Sequence, residues 1–210
     1  MAAAGATARA ADPAGSLPRI TDRAWFNRPA AELAPALLGC TLVHDAADGR
    51  VAGRLVEVEA YQGPEDLAAH SARGRTPRNA VMFGPPGHLY VYLIYGLHHC
   101  ANVVCGPDDK PEAVLLRAAA ITEGVALARQ RRGHVADRRL AAGPGNLGAA
   151  FGLGRSLNGA DLVAGPVWLA RGEPADEVSR RPRVGVDYAG AWAARDLRFL
   201  VTDDPHLSRR

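Results

Sequence analysis

The chain has 210 residues, of which 48% are hydrophobic and 22% charged, and its net charge is +3. These values predict one soluble globular domain with an extensive core, and no run of 18 apolar residues is present that would cross a membrane. The three cysteines have neither the spacing of a disulfide framework nor that of a zinc site, which indicates a reducing compartment and no bound metal.

The first 61 residues predict a tail, a helix and a β-hairpin. Residues 1–17 contain few bulky apolar side chains and are predicted to form a disordered N-terminal tail. Residues 26–43 predict a helix with Pro29 near its start and Gly39 at its end, followed by a strand. The segment GRLVEVEAY, residues 53–61, alternates with period two and is predicted to pair with that strand.

The rest of the chain predicts a mixed α/β domain. Residues 62–87 are polar and predict a long loop, and loops of this length are often functional. Strands are predicted at 88–96, 100–105 and 112–120, a helix within 121–133 that Thr122 caps and Gly133 ends, a short helix at 143–153, and one or two strands at 181–201. The pattern predicts a single α+β domain with a largely antiparallel sheet at residues 18–205, followed by a C-terminal tail at 206–210.

Carboxylates interrupt the strand VEVEAY. Because alternate side chains of a strand share a face, Glu57, Glu59 and Tyr61 point to the side opposite Val56, Val58 and Ala60. An edge strand with one face in water would explain this pattern. The strand runs directly into the long loop, however, and a carboxylate beside an aromatic side chain is also typical of a general-base site.

Further polar and aromatic residues interrupt the following apolar segments. Tyr92 shares a strand face with Tyr90, which cross-strand packing alone would explain. An ion pair or surface exposure would explain Asn102 or Arg117 taken singly. Considered together, the interruptions indicate a pocket formed by several successive segments: Glu59, Tyr61, His70, Tyr92, Asn102 and Arg117.

Two clusters of arginines make the basic charge uneven. Arg73, Arg75 and Arg78 lie in the long loop, and a second cluster ends the helix predicted before Gly133. Such clusters form either a solvated basic surface or a site for phosphates and acidic partners. Both interpretations are compatible with the sequence.

Residues 24–202 resemble the alkyladenine (3-methyladenine) DNA glycosylase family. The segments VEAY, HS, TPRN, MF, LYVY and IYG carry the resemblance, which continues through VLLRAA, GPGNL and RVGVDYAGAWAARDLRF. It implies a curved antiparallel sheet flanked by helices, with a protruding β-hairpin, and no cofactor. It further implies a monomeric, cytoplasmic and nucleoid-associated repair enzyme that needs no protein partner and acts on double-stranded DNA containing alkylated or deaminated purines.

The resemblance also assigns roles to residues. Glu59 matches the general base that activates water, and Arg117 an arginine near that base and the nucleotide's phosphate. Tyr61, His70, Tyr92 and Asn102 match the pocket for a flipped base, in which the asparagine helps to reject normal guanine by clashing with its 2-amino group. Tyr95 matches a tyrosine that wedges into the duplex, and Arg75 and Arg78 of the basic loop are candidates for contacts with the DNA backbone.

Two other classes of function remain open on the sequence alone. Glu57 and Glu59 are separated by about 7 Å along a strand, within the carboxylate spacing of inverting glycosidases, so a carbohydrate hydrolase would use both. A non-catalytic nucleic-acid binder would use the tyrosines for stacking and the arginines for phosphates. Lys110 is the one lysine of the chain and lies far from Glu59 in sequence, so a lyase step through a Schiff base is not predicted.

Overall fold

The computed structural model describes residues 17–209, so the predicted tail at residues 1–17 lies outside them apart from Leu17. The described residues contain three α-helices and eight strands. The helices are α1 (Ala30–Leu37), α2 (Val125–Arg132) and α3 (Pro144–Phe151). The strands are β1 (Thr41–Ala46), β2 (Gly49–Tyr61), β3 (Leu89–Ile94), β4 (His98–Cys105), β5 (Glu112–Glu123), β6 (Val167–Ala170), β7 (Val178–Arg181) and β8 (Arg198–Val201).

All eight strands join one curled antiparallel sheet. Its main order is β3-β4-β5-β2-β1-β6, and β7 pairs with β8, which in turn pairs with β2. Helix α1 packs on β2 and β5, and α3 packs on β4 and β5. The predicted fold class is therefore confirmed: a single α+β domain has a curved antiparallel sheet, flanking helices and a β3–β4 hairpin. No helix among residues 17–209 is long and apolar enough to cross a bilayer.

Strand β2 lies in the middle of the sheet. It pairs with β5 along one side, and with β1 and then β8 along the other. The edge-strand explanation for its glutamates is therefore wrong. The pairing with β5 shifts register on both sides of Glu57. Val56 packs with Leu200 in a small cluster separate from the main core, whereas Val58 and Ala60 belong to the main core, so the three side chains do not share one apolar face as predicted. This irregularity accommodates polar side chains in a strand that is buried on both faces.

The helix predictions hold for α1 and α3 and need one correction. Thr122 does not cap α2, because β5 continues through it to Glu123. Gly124 occupies the cap position instead with φ 73°, and a Cβ there would collide with the carbonyl oxygen of Arg50. The tight approach of the β5–α2 junction to β2 therefore requires a glycine. The end of α2 before Gly133 is confirmed.

The strand predictions are complete in the first half of the chain and incomplete in the second. Strand β8 lies within the predicted range 181–201, whereas β7 lies before this range apart from its last residue, Arg181. Strand β6 was not predicted, because Val167–Ala170 is only four residues long and wholly buried, without alternation.

The predicted loop at residues 62–87 is ordered around one buried asparagine. Asn79 donates hydrogen bonds of 2.9 Å to the carbonyl oxygens of His70 and Gly74, and its side-chain oxygen accepts from the backbone and hydroxyl of Thr76. Three short 3-10 helices lie within the loop, and one of them, His70–Arg73, begins at His70. Asn79 thereby fixes the backbone that carries His70.

Candidate active site

A cavity opens where β2–β5 meet the loop before Tyr188. Five of the residues predicted for the site line this cavity: Tyr61, His70, Tyr92, Asn102 and Arg117. They come from β2, the long loop, β3, β4 and β5 respectively. The structure therefore brings together the polar interruptions that are scattered over 57 positions of the sequence, from 61 to 117.

Glu59 lies directly behind the cavity wall and is fully buried. Its Oε1 accepts a hydrogen bond of 2.8 Å from the backbone N–H of Val184 and lies 3.2 Å from Nη1 of Arg117. Its Oε2 accepts a hydrogen bond of 3.0 Å from the hydroxyl of Tyr61. Val184, Arg117 and Tyr61 all line the cavity, so the carboxylate contacts three groups that face it.

The two glutamates of β2 have opposite pKa shifts. Burial raises the pKa of Glu59, and the nearby charge of Arg117 opposes this rise without cancelling it. Burial also acts on Glu57, but the charge of Arg117 and two hydrogen bonds from Ser208 outweigh it and lower the pKa of that carboxyl. Glu59 is therefore the acid whose proton affinity moves toward neutral pH, as suits a general base.

Glu57 is a buried structural anion, not a surface group. Its Oε1 accepts from Nε of Arg117 at 2.9 Å, from Nη1 of Arg198 at 3.2 Å and from the hydroxyl of Ser208 at 2.7 Å. Its Oε2 accepts from the backbone N–H of Ser208 at 2.7 Å. Both glutamates contact the same guanidinium, so no sugar ring and attacking water fit between them. This geometry disfavours the carbohydrate hydrolase.

An aromatic wall forms one side of the cavity. The rings of Tyr90 and Tyr92 stack with centroids 5.4 Å apart, and His70 meets Tyr92 edge-on at 4.5 Å. Nδ1 of His70 lies 3.0 Å from the hydroxyl of Tyr90. Burial and then the charge of Arg78 lower the pKa of His70, so its ring is neutral at pH 7. Burial raises the pKa of Tyr92, which keeps its hydroxyl protonated.

Asn102 is buried at the inner end of this wall. Its Nδ2 donates a hydrogen bond of 3.3 Å to the carbonyl oxygen of Tyr90, its neighbour across the β3–β4 ladder. This bond orients the amide while the residue lines the cavity. Asn102 therefore places a fixed polar group among aromatic side chains.

Tyr95 lies at the tip of the β3–β4 hairpin, away from the cavity lining. It is 85% exposed, and its φ of 54° is in the left-handed region, which an aromatic residue rarely adopts. A large exposed aromatic side chain on a strained backbone is not explained by the core. Its ring is therefore available for contact with another molecule.

The two predicted DNA-contacting arginines are exposed on the loop beside the hairpin. Arg78 donates to the carbonyl oxygen of Leu93 at 2.9 Å, and its guanidinium lies 5.7 Å from the ring centroid of Tyr92. Arg75 lies 5.8 Å from the ring centroid of Phe83. Arg78 therefore borders the rim between the hairpin and the aromatic wall, and Arg75 is exposed on the same loop.

The site contains residues that the sequence did not predict. Val184 holds Glu59 through its backbone, and the only signal for it was its place in the segment RVGVDY. Ser208 and Arg198 hold Glu57, although Ser208 falls in the predicted C-terminal tail and no motif marks it. Arg183 pairs with Asp66 in complete burial and lies 4.7 Å from the ring centroid of Tyr61.

Comparison with known proteins decides the family. A model of the methylpurine-DNA glycosylase family matches residues 24–205 of the chain. The chain belongs to this family. Members are hydrolases of N-glycosyl bonds in DNA repair, and the buried carboxylate behind an aromatic cavity is consistent with that chemistry.

Relatives from bacteria and archaea share nearly half of the sequence. A protein of Streptomyces avermitilis is 48% identical over 192 residues, covering 89% of each chain. One of Methanocella arvoryzae is 45% identical, covering 91% of this chain and 96% of its own, and one of Corynebacterium glutamicum is 46% identical, covering 88% and 85%. All three are provisionally named 3-methyladenine DNA glycosylase. The methylpurine-DNA glycosylase match thus covers residues 24–205 of the described residues 17–209.

Proposed function

We propose that this glycosylase flips an alkylated or deaminated purine out of double-stranded DNA and hydrolyses its N-glycosyl bond with a water that Glu59 activates, leaving an abasic site. The observation that carries the proposal is the buried Glu59 carboxylate, held by three groups that line the cavity. An enzyme cannot reach this bond inside the base stack, so the nucleotide must enter the cavity.

The contacts of Glu59 leave a position for the attacking water. Its Oε1 is occupied by Val184 and Arg117, while Oε2 accepts one hydrogen bond, from Tyr61, among residues 17–209. A carboxylate oxygen has two lone pairs and can accept more than one hydrogen bond. The second acceptor position of Oε2 suits a water whose proton passes to Glu59 as its oxygen attacks the sugar C1′.

The aromatic wall favours alkylated purines. Purines methylated at ring nitrogens, such as 3-methyladenine and 7-methylguanine, are cationic, and aromatic faces attract cations. Tyr61, His70 and Tyr92 surround the cavity with such faces and with a neutral imidazole. For neutral lesions such as hypoxanthine and ethenoadenine, which are poorer leaving groups, hydrogen bonding by His70 is the proposed aid. Asn102 is proposed to help reject normal guanine by clashing with its 2-amino group. 7-Methylguanine has the same amino group, but its positive charge adds attraction to the aromatic faces and makes it a better leaving group, which offsets the clash.

The exposed hairpin and the loop arginines are proposed to hold the DNA. Tyr95 would enter the gap in the stack that the flipped nucleotide leaves, which offsets part of the lost stacking. Arg75 and Arg78 would contact phosphates beside it. We propose that the domain at residues 18–205, supplemented by Ser208, acts as a monomer without a protein partner, on the nucleoid in the cytoplasm.

A single-step hydrolysis is proposed, without a lyase step. Lys110 lies in the connection between β4 and β5 and forms an ion pair of 2.8 Å with Glu112, the first residue of β5. A hydrogen bond to that carboxylate raises the pKa of Lys110. Its amine stays protonated and unreactive, and it does not line the cavity. A covalent adduct between enzyme and DNA, trapped by borohydride, would contradict this part of the proposal.

The decisive experiment measures base release by the Glu59→Gln variant. Duplexes carrying 3-methyladenine, 7-methylguanine, hypoxanthine or ethenoadenine are incubated with the enzyme, and released bases are quantified by mass spectrometry. Loss of a general base should slow release by about 10²- to 10⁴-fold, with lesion binding retained. Glu112→Gln is the matched control, because Glu112 is also buried and paired but lies outside the cavity.

Two results would contradict the proposal. Normal release by Glu59→Gln would remove Glu59 from the role of base. Salt-sensitive binding of lesion DNA by the unmodified protein, with no release of any of the four bases, would support a non-catalytic binder instead.

A further inference from the structure

The guanidinium of Arg117 is held by three contacts in different directions. Its Nε donates to Glu57 at 2.9 Å, its Nη2 donates to Ser208 at 3.2 Å, and its Nη1 lies 3.2 Å from Glu59. A guanidinium is a rigid planar fork, so contacts to all three nitrogens fix its orientation. Because Arg117 also lines the cavity, these contacts determine which N–H groups it presents there.

Ser208 links Glu57 to Arg117. Its hydroxyl donates to Glu57 at 2.7 Å and accepts from Arg117, while its backbone N–H binds the other oxygen of Glu57. The preceding residue, Leu207, is buried in the small cluster around Val56. The segment of Leu207 and Ser208 is therefore held next to Glu57, and its hydrogen bonds fix the position of that carboxylate.

The buried charges balance only when Glu57 is present. Glu57 and Glu59 face the guanidinium of Arg117, and that of Arg198 lies 3.2 Å from Glu57. Removing the charge of Glu57 would leave two buried arginines near one carboxylate. Arg117 would then lose its strongest restraint and its orientation toward Glu59 would no longer be unique.

We infer that Glu57 and Ser208 are positioning residues: they orient Arg117 against Glu59 and the cavity, and base release depends on them although neither touches the substrate. This inference rests on the proposed function, since it takes Glu59 as the base. It assigns a role in base release to a buried carboxylate that lies outside the cavity lining. It also makes the C-terminal segment part of the machinery of hydrolysis.

The test compares single-turnover release of 7-methylguanine at saturating enzyme. Glu57→Gln keeps the side-chain volume but removes the charge, and a slightly misplaced Arg117 should slow release on the order of 10- to 100-fold. The dissociation constant for lesion DNA should change by less than about 3-fold, because Tyr95 and the loop arginines are untouched. Ser208→Ala removes only the hydroxyl, should fold normally, and should slow release by a smaller factor.

Matched controls separate positioning from a general effect on folding. Glu112→Gln removes a buried paired carboxylate of β5 that lies outside the cavity, and Ser179→Ala removes a hydroxyl that pairs with Thr202 between β7 and the residue after β8. Both controls should release base at the wild-type rate even where thermal stability falls. Ser208→Ala should add little to Glu57→Gln, because both act through Arg117.

The outcomes distinguish this inference from the proposed function. If Glu59→Gln is inactive while Glu57→Gln and Ser208→Ala release base at the wild-type rate, the positioning role is overturned and the proposed base stands. A loss of rate that Glu112→Gln reproduces would also overturn it. Full activity of Glu59→Gln would instead remove the proposed function on which the inference depends.

Discussion

The backbone N–H of Val184 donates a 2.8 Å hydrogen bond to the carboxylate of Glu59, although 125 positions separate the two residues. No side-chain substitution at Val184 other than proline removes this donor, so its position depends on its neighbours. Arg183 is the nearest anchor: it pairs with buried Asp66 and donates to the carbonyl oxygen of Ala60, beside Glu59. The Asp66–Arg183 pair therefore joins the long loop, β2 and the Val184 segment at the site.

Asp66→Asn should strongly destabilise the protein. The variant leaves Arg183 buried without its counter-charge, a change that typically costs about 3–5 kcal/mol. The free energy of unfolding, measured by urea denaturation, should fall by that amount. Asp48→Asn is the comparison, because it breaks the more exposed Arg131–Asp48 pair and should change stability little. Equal effects of the two substitutions would contradict the structural role of Asp66.

Local sequence patterns predicted the elements that carry the site but not the contacts that complete it. The alternation of VEVEAY and LYVY predicted two strands, and the rule that alternate side chains share a face agrees with the place of Tyr61 and Tyr92 in the cavity lining. The register shifts on both sides of Glu57 were not predicted, and Glu57 lies outside that lining. The contacts of Ser208 and Arg198 with Glu57 depend on the packing of segments that are far apart in the sequence. No local sequence pattern around Ser208 predicts its contact with Glu57.

Two local signals of the sequence were misleading for physical reasons. Thr122 has the side chain of a helix cap, but pairing with β2 extends β5 past it, and the left-handed Gly124 makes the turn instead. Tertiary pairing thus overrode a local signal. The glutamates of β2 resembled those of an edge strand because a sequence does not record that β5 and β8 cover both sides of the strand.

Base release from DNA containing 7-methylguanine should decline on the acidic side at a pH above the ordinary titration range of glutamate. Burial raises the pKa of Glu59, and only its ionised form can accept the proton of water. As pH falls through that raised pKa, the active form is lost. This lesion is chosen because its base is already cationic and needs no further proton to leave.

The measurement is the single-turnover release rate between pH 4 and 8, with Glu59→Gln as the background for spontaneous depurination. A rate that stays constant down to the usual glutamate range would contradict the raised pKa. Hypoxanthine should behave differently, since a neutral leaving group gains from acid and a bell-shaped profile is expected.

Tyr95→Asn should weaken lesion binding without destabilising the fold. The tyrosine is 85% exposed, so little packing is lost, and asparagine adopts its left-handed backbone more readily. We expect an unfolding free energy that is unchanged or higher by up to about 1 kcal/mol. Affinity for lesion duplex should fall about 10-fold or more, from the loss of one aromatic stack.

Substrate design tests whether this loss reflects flipping. When the lesion faces an abasic site, less pairing must be broken to extrude it, so the defect of Tyr95→Asn should shrink. Calorimetry reports stability and fluorescence anisotropy reports binding. Equal defects on both substrates would show that Tyr95 contributes contact area without assisting extrusion.

Arg75→Ala should reduce the salt dependence of DNA binding while leaving base release at saturating enzyme unchanged. Each lost phosphate contact lowers the slope of log affinity against log salt by about 0.9. Arg75 is exposed on the loop and contacts only the ring of Phe83 among the interactions described for it. Arg78→Ala should lower the slope equally but also slow release, because Arg78 lies over Tyr92 and binds the carbonyl oxygen of Leu93.

Arg129→Ala is the control, since that arginine is already paired with Asp137 through two hydrogen bonds. Binding titrations between 50 and 200 mM salt, the range over which phosphate contacts change affinity most visibly, should give a reduced slope for the two loop variants and a wild-type slope for the control. If all three variants keep the wild-type slope, the DNA backbone does not contact this loop.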